Sequence, residues 1–392
     1  MQHRQRFLQI QHLLEHHEAL WRPSPFYQPR PTWCEMHPDL SAALLSLDED
    51  RVNHLAADPV ASRQWLAGWL PIVKELPTLE TLPPLPARTR PAAGVHFDWS
   101  IPGRKRQQIE AFANHVPATT APLLEWCAGK GHLGRRLALA DNRAVHSLEI
   151  DAGLCADGRH LATRARANQT LICGDALAPE SRDHVPGREV LALHACGELH
   201  RHLVRHAATD GARGYRIAPC CYYRGAQEGY RPLNQDARLA MDGGALRLAV
   251  TETVTAPQRL RQRLARDQAW KQGLIALRNS LEGEAVRPYP PMPTHLLSGD
   301  FIRYGEAVAR RQGLVLPARV DWEHWLAVGE ARRQEVRRLE LVRHTFRQCL
   351  ELWLVLDIAL GLEEAGFEVT LGHFCDRYLT PRNLLISAER QR

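Results

Sequence analysis

The sequence predicts an α/β protein built on an open, doubly wound sheet, and three observations carry that prediction. Leu123 and Leu124 lead through Glu125 into a glycine-containing turn and then a helical pattern, LLEWCAGKGHLG over 123–134. Five short apolar stretches between 123 and 224 alternate with helical ones. Each of the five ends in small or polar residues, so a ligand crevice is expected along one edge of the sheet.

The N-terminal part reads as helical. Phe7, Leu8, Ile10, Leu13, Leu14 and Leu20 recur at helical spacing over 5–21, and Pro23, Pro25, Pro29 and Pro31 end the pattern. Shorter helices are expected at 40–47 and 60–73, the second holding Trp65 and Trp69. The proline-rich stretch 76–94 reads as a linker, so residues 1–90 form a helical accessory region and 91–392 a second domain. GRKRQQIEAFANHV (103–116) is a helix with Ile109, Phe112 and Ala113 on its apolar face. Its basic start, Arg104 to Arg106, is either a solvated helix end or a helix beside a ligand pocket.

In the turn, Gly129 and Gly131 accept backbone angles closed to other residues and let a ligand approach the main chain. The helix that follows begins where free N–H groups favour an anionic group. A dinucleotide or S-adenosylmethionine suits such a place. RAVHSLEID (143–151) is the second strand, and Glu149 falls about 20 residues beyond the glycines, the offset of a ribose-binding acid. QTLICGDAL (169–177) ends in Asp175. REVLALHACGEL (188–199) and GYRIAPCCYYR (214–224) are the fourth and fifth strands.

From 225 to about 340 the pattern resembles an insertion, with helices at 257–281 and 301–312 around the proline cluster 287–293. Residues 330–360 form one long helix or a broken pair, arginine-rich at first (Arg332, Arg333, Arg337, Arg338, Arg343, Arg347) and then apolar. Those arginines are either a solvated face or a track for an RNA backbone. GFEVTLGHF (366–374) and NLLISAER (383–390) are two further strands.

The chain has 392 residues, 44% of them hydrophobic, as folded domains do, and a formal charge of +6. The charge leans weakly towards a nucleic-acid partner. Nine scattered cysteines suit a reducing compartment better than a disulfide framework, and the polar N-terminus does not read as a signal peptide. No stretch is apolar for long enough to span a membrane. A cytoplasmic protein with no membrane partner is expected.

GRKRQQIE, WCAGKGHLG, LALHACGEL, APCCYYR and FCDRYLTPRNL together resemble class I S-adenosylmethionine-dependent methyltransferases. More narrowly, they resemble the methyltransferase-like group that includes glutathione S-transferase C-terminal domain-containing protein and ribosomal RNA adenine dimethylase domain-containing protein. The resemblance covers about residues 103 to 390 and is weakest in the middle. It implies a Rossmann-like seven-stranded class I methyltransferase sheet closed by an antiparallel hairpin, with an N-terminal helical region and a helical insertion. It implies S-adenosyl-L-methionine as cofactor. The loop from Glu125 through Cys127, Gly129 and Gly131 would hold its methionine portion, Glu149 its ribose hydroxyls and Asp175 would lie near its adenine amine. His194 to Gly197 would line the cleft, and Pro219 to Tyr222 would face the transferred methyl. Two departures stand out: Cys127 occupies the place of the usual first glycine, and APCCYYR is not the Asn/Asp-Pro-Pro-aromatic motif of amino-directed enzymes.

Methyl transfer from a sulfonium needs proximity, alignment and removal of a proton. His194 is a general base or a buried structural histidine; Cys221 is a nucleophile or a small residue lining the cleft. One of Tyr222 and Tyr223 stacks on a planar acceptor, or both pack in the core. No metal site is expected, since adjacent Cys220 and Cys221 on a strand point to opposite faces and no C-x-x-C pair occurs. A dehydrogenase is the competing enzyme. It lacks support because a third glycine packing helix on strand is not evident, with Gly134 the nearest, and because of the closing hairpin. The expected function is methyl transfer to a macromolecule, RNA slightly ahead of protein. The alternative is a non-catalytic RNA- or protein-binding module that keeps the fold.

Overall fold

The structure, a computed structural model, describes residues 2–91, 97, 101–226, 229–251, 258–283, 289 and 292–391, without the side chains of His194 and Thr294. Most of the proline cluster 287–293 lies outside the described residues. The chain falls into two compact units. One comprises Met1–His16, Leu76–Thr255 and Arg347–Arg392; the other comprises His17–Glu75 and Ala256–Phe346. This division differs from a single cut at residue 90. The proline-rich stretch opens with a short helix, Leu76–Glu80, and is packed: Leu76 is buried, and the Arg90 guanidinium reaches Asp141 and the carbonyls of Ala113 and Val116.

The first unit holds a mixed sheet of seven strands: β1 (Leu123–Trp126), β2 (Val145–Glu149), β3 (Gln169–Cys173), β4 (Glu189–Cys196), β5 (Gly214–Cys220), β6 (Phe367–His373) and β7 (Leu384–Arg390). The order is β3-β2-β1-β4-β5-β7-β6. Strands β1 to β5 run parallel, and β7 runs antiparallel to both β5 and β6. The order reverses between β1 and β4, which places the ligand crevice at their C-terminal ends. β1 and β5 are buried at every residue, as central strands covered on both faces must be, whereas β6 mostly alternates between buried and exposed.

The longer helices are α1 (Gln2–His16), α2 (Gly103–Ala113), α3 (His132–Asp141), α4 (Ala152–Ala165), α5 (Glu198–Arg205), α6 (Gly243–Val250), α7 (Gln258–Glu282), α8 (Phe301–Gln312), α9 (Trp322–Thr345) and α10 (Arg347–Glu364). Ile109 and Phe112 of α2 and Leu133 and Leu137 of α3 form one core with Leu123, Val145 and Leu191 of the sheet. α10 is buried from Cys349 to Leu360 and packs against β6. α1 packs on α10, with Phe7 stacked on Trp353 at 5.2 Å between ring centres.

The stretch 330–360 is a broken pair. Thr345 donates its hydroxyl back to the Leu341 carbonyl at 3.0 Å, a bond that competes with continuing a helix, and α9 ends there. In the second unit, α7 and α9 cross where Gly273 faces Gly329; a Cβ on Gly329 would sit 2.3 Å from the Ala269 carbonyl oxygen. The arginines of α9 are occupied within this unit. Arg332 donates to the Pro25 carbonyl at 2.7 Å, and Arg338 and Arg343 donate to those of Leu47 and Trp21 at 2.8 Å. These three satisfy backbone carbonyls of the segment 17–75. Among the described residues no helix is long and apolar enough to cross a membrane.

Candidate functional site

β1 ends at Trp126, and the chain turns through Cys127–Gly131 into α3. Three residues of the turn are left-handed: Cys127 (φ 57°), Gly129 (φ 59°) and Gly131 (φ 65°). Cys127 is therefore more than a small residue that lets the backbone pass. It holds an angle that costs a residue with a side chain about 1–2 kcal/mol, a strain found where function demands a shape. The second-strand acid closes the turn: Glu149 accepts from the Gly129 N–H at 2.8 Å and from the Asp151 N–H at 3.0 Å. A Cβ on Gly129 would meet nothing within 4 Å, so the turn is open on that side.

Below the turn runs a polar chain. Gln169 donates to the Gly131 carbonyl and to Ser147 Oγ, both at 2.8 Å, and Ser147 donates to Glu125 at 2.8 Å. Gly131 thus faces Gln169, while Glu125 lies buried against the N-terminus of α3. A Cβ on Gly134 would sit 2.6 Å from a Glu125 carboxylate oxygen. Gly134 therefore fills the close-packing role of the third glycine, and the glycine count does not separate a methyltransferase from a dehydrogenase. Ser147 and Gln169 escaped the sequence reading; their only signal is polarity within apolar strands.

Burial pushes the Glu125 carboxyl up to about 7, against hydrogen bonds from Ser147, Gly134 and Leu133 that pull it down. A carboxyl raised above its unfolded value of 4.5 binds its proton more tightly in the folded chain. Its contribution to stability is complete below about pH 4.5 and is lost as pH rises through about 7, by at most roughly 3 kcal/mol. Urea unfolding at pH 5 and pH 8 is expected to show that fall, and Glu125→Gln to flatten it; an equal fall in the variant would exclude Glu125 as its source.

Beside the turn lies a cavity of about 190 Å³ lined by Lys105, Gln108 and Ile109 of α2, by Glu125 to Gly129, and by His132, Leu133 and Leu193. The basic start of α2 thus borders the pocket. Burial, then the charges of Arg135, Lys105 and Lys130, lower His132 to about 3, so it is neutral and accepts from Arg135 at 2.7 Å. Burial, then the charges of Glu149, Cys196 and Asp175, push the Cys127 thiol up to about 12. Asp175 is exposed after β3 and accepts from the Leu177 N–H at 2.9 Å. His194 lies in β4 where pairing with β5 shifts register between Leu193 and Cys196; its side chain is outside the described residues.

At the ends of β4 and β5 the cysteines do not diverge as strand alternation predicts. Cys196 and Cys220 are register partners, with their sulfurs 3.3 Å apart. Cys221 follows the strand at φ 44°, and all three sulfurs lie within 4.8 Å of one another. Hydrogen bonds from the Cys196 and Cys220 thiols, then the charges of Arg224 and Arg382, draw the Cys221 thiol well below the ordinary range. Tyr222 is wholly buried, edge-on to His200 at 6.0 Å, and its hydroxyl has no hydrogen-bond partner among the described residues. Its place is in the core. Tyr223 is the less buried tyrosine, with the Arg247 guanidinium 4.6 Å from its ring centre, and the two line a groove with Arg224 and Asp242.

Residues 104–227 match a family model described as a methyltransferase domain, a span running from α2 through the segment after β5. The match supports methyl transfer; the narrower group named on sequence resemblance finds no support in it. No curated protein matches the chain. Among solved structures, an uncharacterized protein from Listeria monocytogenes serotype 4b is similar at 12% identity, covering 57% of this chain and 97% of that one, with a TM-score of 0.24.

Proposed function

We propose that the protein is an S-adenosylmethionine-dependent methyltransferase acting on a macromolecular acceptor, RNA ahead of protein. The observation that carries the reading is the turn Cys127–Gly131, clasped by Glu149, open beside Gly129 and lying within the segment that matches a methyltransferase domain. The cofactor, when bound, supplies a methyl group on a sulfonium that is already a good leaving group. The chain's part is to bind, align and remove a proton. Cys127, Gly129 and Gly131 shape the cradle for the methionine portion, and Glu125 fixes that cradle from beneath. Glu149 stands at the strand end suited to ribose hydroxyls, and Asp175 at the next strand end suits the adenine amine. His194 and Cys221 belong to the strand ends facing the acceptor, with Tyr223 in place of Tyr222 as the aromatic surface. The groove of Tyr223, Arg224 and Arg247 favours a base and a phosphate over a peptide.

Titration calorimetry with S-adenosylmethionine and S-adenosylhomocysteine tests the cofactor. Failure of both to bind well-folded protein sinks the proposal, and RNA binding without either leaves only a binding module. Labelled methyl transfer to RNA and protein fractions from cells lacking this protein tests the acceptor; label in protein alone overturns the choice of RNA.

A further inference from the structure

We propose that Cys196, Cys220 and Cys221 form a three-thiolate site for a thiophilic divalent ion of the zinc class, with its fourth coordination position left to an exogenous ligand. The cluster does not depend on the methyl-donor reading, and it rests on four features of the fold.

The sulfurs converge. They lie within 4.8 Å of one another, the closest pair at 3.3 Å. Zinc–sulfur bonds of about 2.3 Å at tetrahedral angles place ligand sulfurs roughly 3.8 Å apart, inside that spread. The convergence is also built. Cys196 and Cys220 are cross-strand partners, and the left-handed backbone of Cys221 brings the adjacent thiol into the same group. The turn that does so is clamped onto the next loop. The Gly197 N–H donates to the Cys220 carbonyl at 3.1 Å and the Glu198 N–H to the Arg224 carbonyl at 2.9 Å. A Cβ on Gly197 would sit 2.0 Å from the Arg224 carbonyl oxygen, so only glycine permits the clamp.

Charge fits as well. Three thiolates and a divalent ion leave one net negative charge, and the guanidinium charges of Arg224 and Arg382 both act on Cys221. Access fits too: Cys196 and Cys221 are partly exposed while Cys220 is buried. Each thiol that ligates releases its proton to solvent, and no redox change is involved. Among the described residues three protein ligands converge, and three ligands with an open fourth position is the pattern of zinc sites that bind a further molecule, in contrast to closed structural ones.

The test uses the full chain, reduced and stripped of metal. Zinc(II) is titrated against a chromophoric chelator, and cobalt(II) is added separately as a spectroscopic probe. One zinc per chain is expected, with an intense near-ultraviolet thiolate-to-cobalt band. Cys221→Ser is expected to weaken zinc by more than about 100-fold, since losing even a residue behind a ligand costs up to that much. Cys173→Ser, outside the cluster, is expected to bind as the parent does. No zinc uptake, no thiolate–cobalt band, or a Cys196–Cys220 disulfide that survives treatment with reductant overturns the proposal. The cobalt spectrum of the unmutated chain decides the matter even where Cys221→Ser fails to fold.

Discussion

Gly129→Arg is expected to abolish S-adenosylmethionine binding while leaving the protein folded. Gly129 sits at φ 59° with its N–H on Glu149. A side chain there costs about 1–2 kcal/mol of backbone strain, a loss that a domain of ordinary stability survives. Open space faces the position, where a Cβ meets nothing within 4 Å, and the arginine is expected to extend into the cradle. Affinity should fall by at least about 100-fold, equivalent to roughly 2.7 kcal/mol. Gly129→Asn is the control, since asparagine tolerates the left-handed angle and is smaller. Calorimetry reads the affinity and circular dichroism the fold. Unchanged cofactor affinity in folded Gly129→Arg would mean that the donor does not lie against this turn.

The second large effect is on stability. Asp357→Ala is expected to destabilise the first unit by about 3–5 kcal/mol. Asp357 is fully buried on α10 and gathers a segment far away in sequence. It accepts from the Tyr230 hydroxyl at 2.7 Å, from the N–H groups of Leu233 and Asn234 at 3.0 Å, and from the Asn234 side-chain amide. Removing the carboxylate leaves these donors buried and unpaired, which costs more than the bonds themselves contribute. Asp357→Asn keeps one acceptor oxygen and should cost less. Chemical denaturation compares the three proteins, and an alanine variant within about 0.5 kcal/mol of the parent would show that water replaces the carboxylate.

Much of the sheet was readable from sequence because its signals are local. β1 and the Gly129–Gly131 turn follow from an apolar run, two glycines and a helical period, all within a dozen residues. The offset from that turn to Glu149 reflects the length of one helix and one strand, and the structure joins the two by a hydrogen bond. The helices at 103–116, 257–281 and 301–312 show the same dependence on periodicity, each within a few residues of its place.

Other features depend on residues distant in sequence. Nothing local says that 17–75 and 256–346 share one unit, because α9 packs on helices and reaches carbonyls some three hundred residues away. The arginine run carried the same composition whether it faced solvent, RNA or buried carbonyls. Strand alternation predicted divergent thiols at 220 and 221; one left-handed residue, held by a clamp onto Gly197, brings them together. Tyr222 and Tyr223 are identical in sequence terms, and only packing against His200 separates the core residue from the more exposed one. Glu125 was visible as a strand-end acid, yet its pKa near neutrality comes from burial beneath α3, made possible by Gly134. Periodicity and turn chemistry are properties of neighbours along the chain, so they were written in the sequence. Charge state, thiol convergence and the sharing of units arise from neighbours in space, and folding alone brings those together.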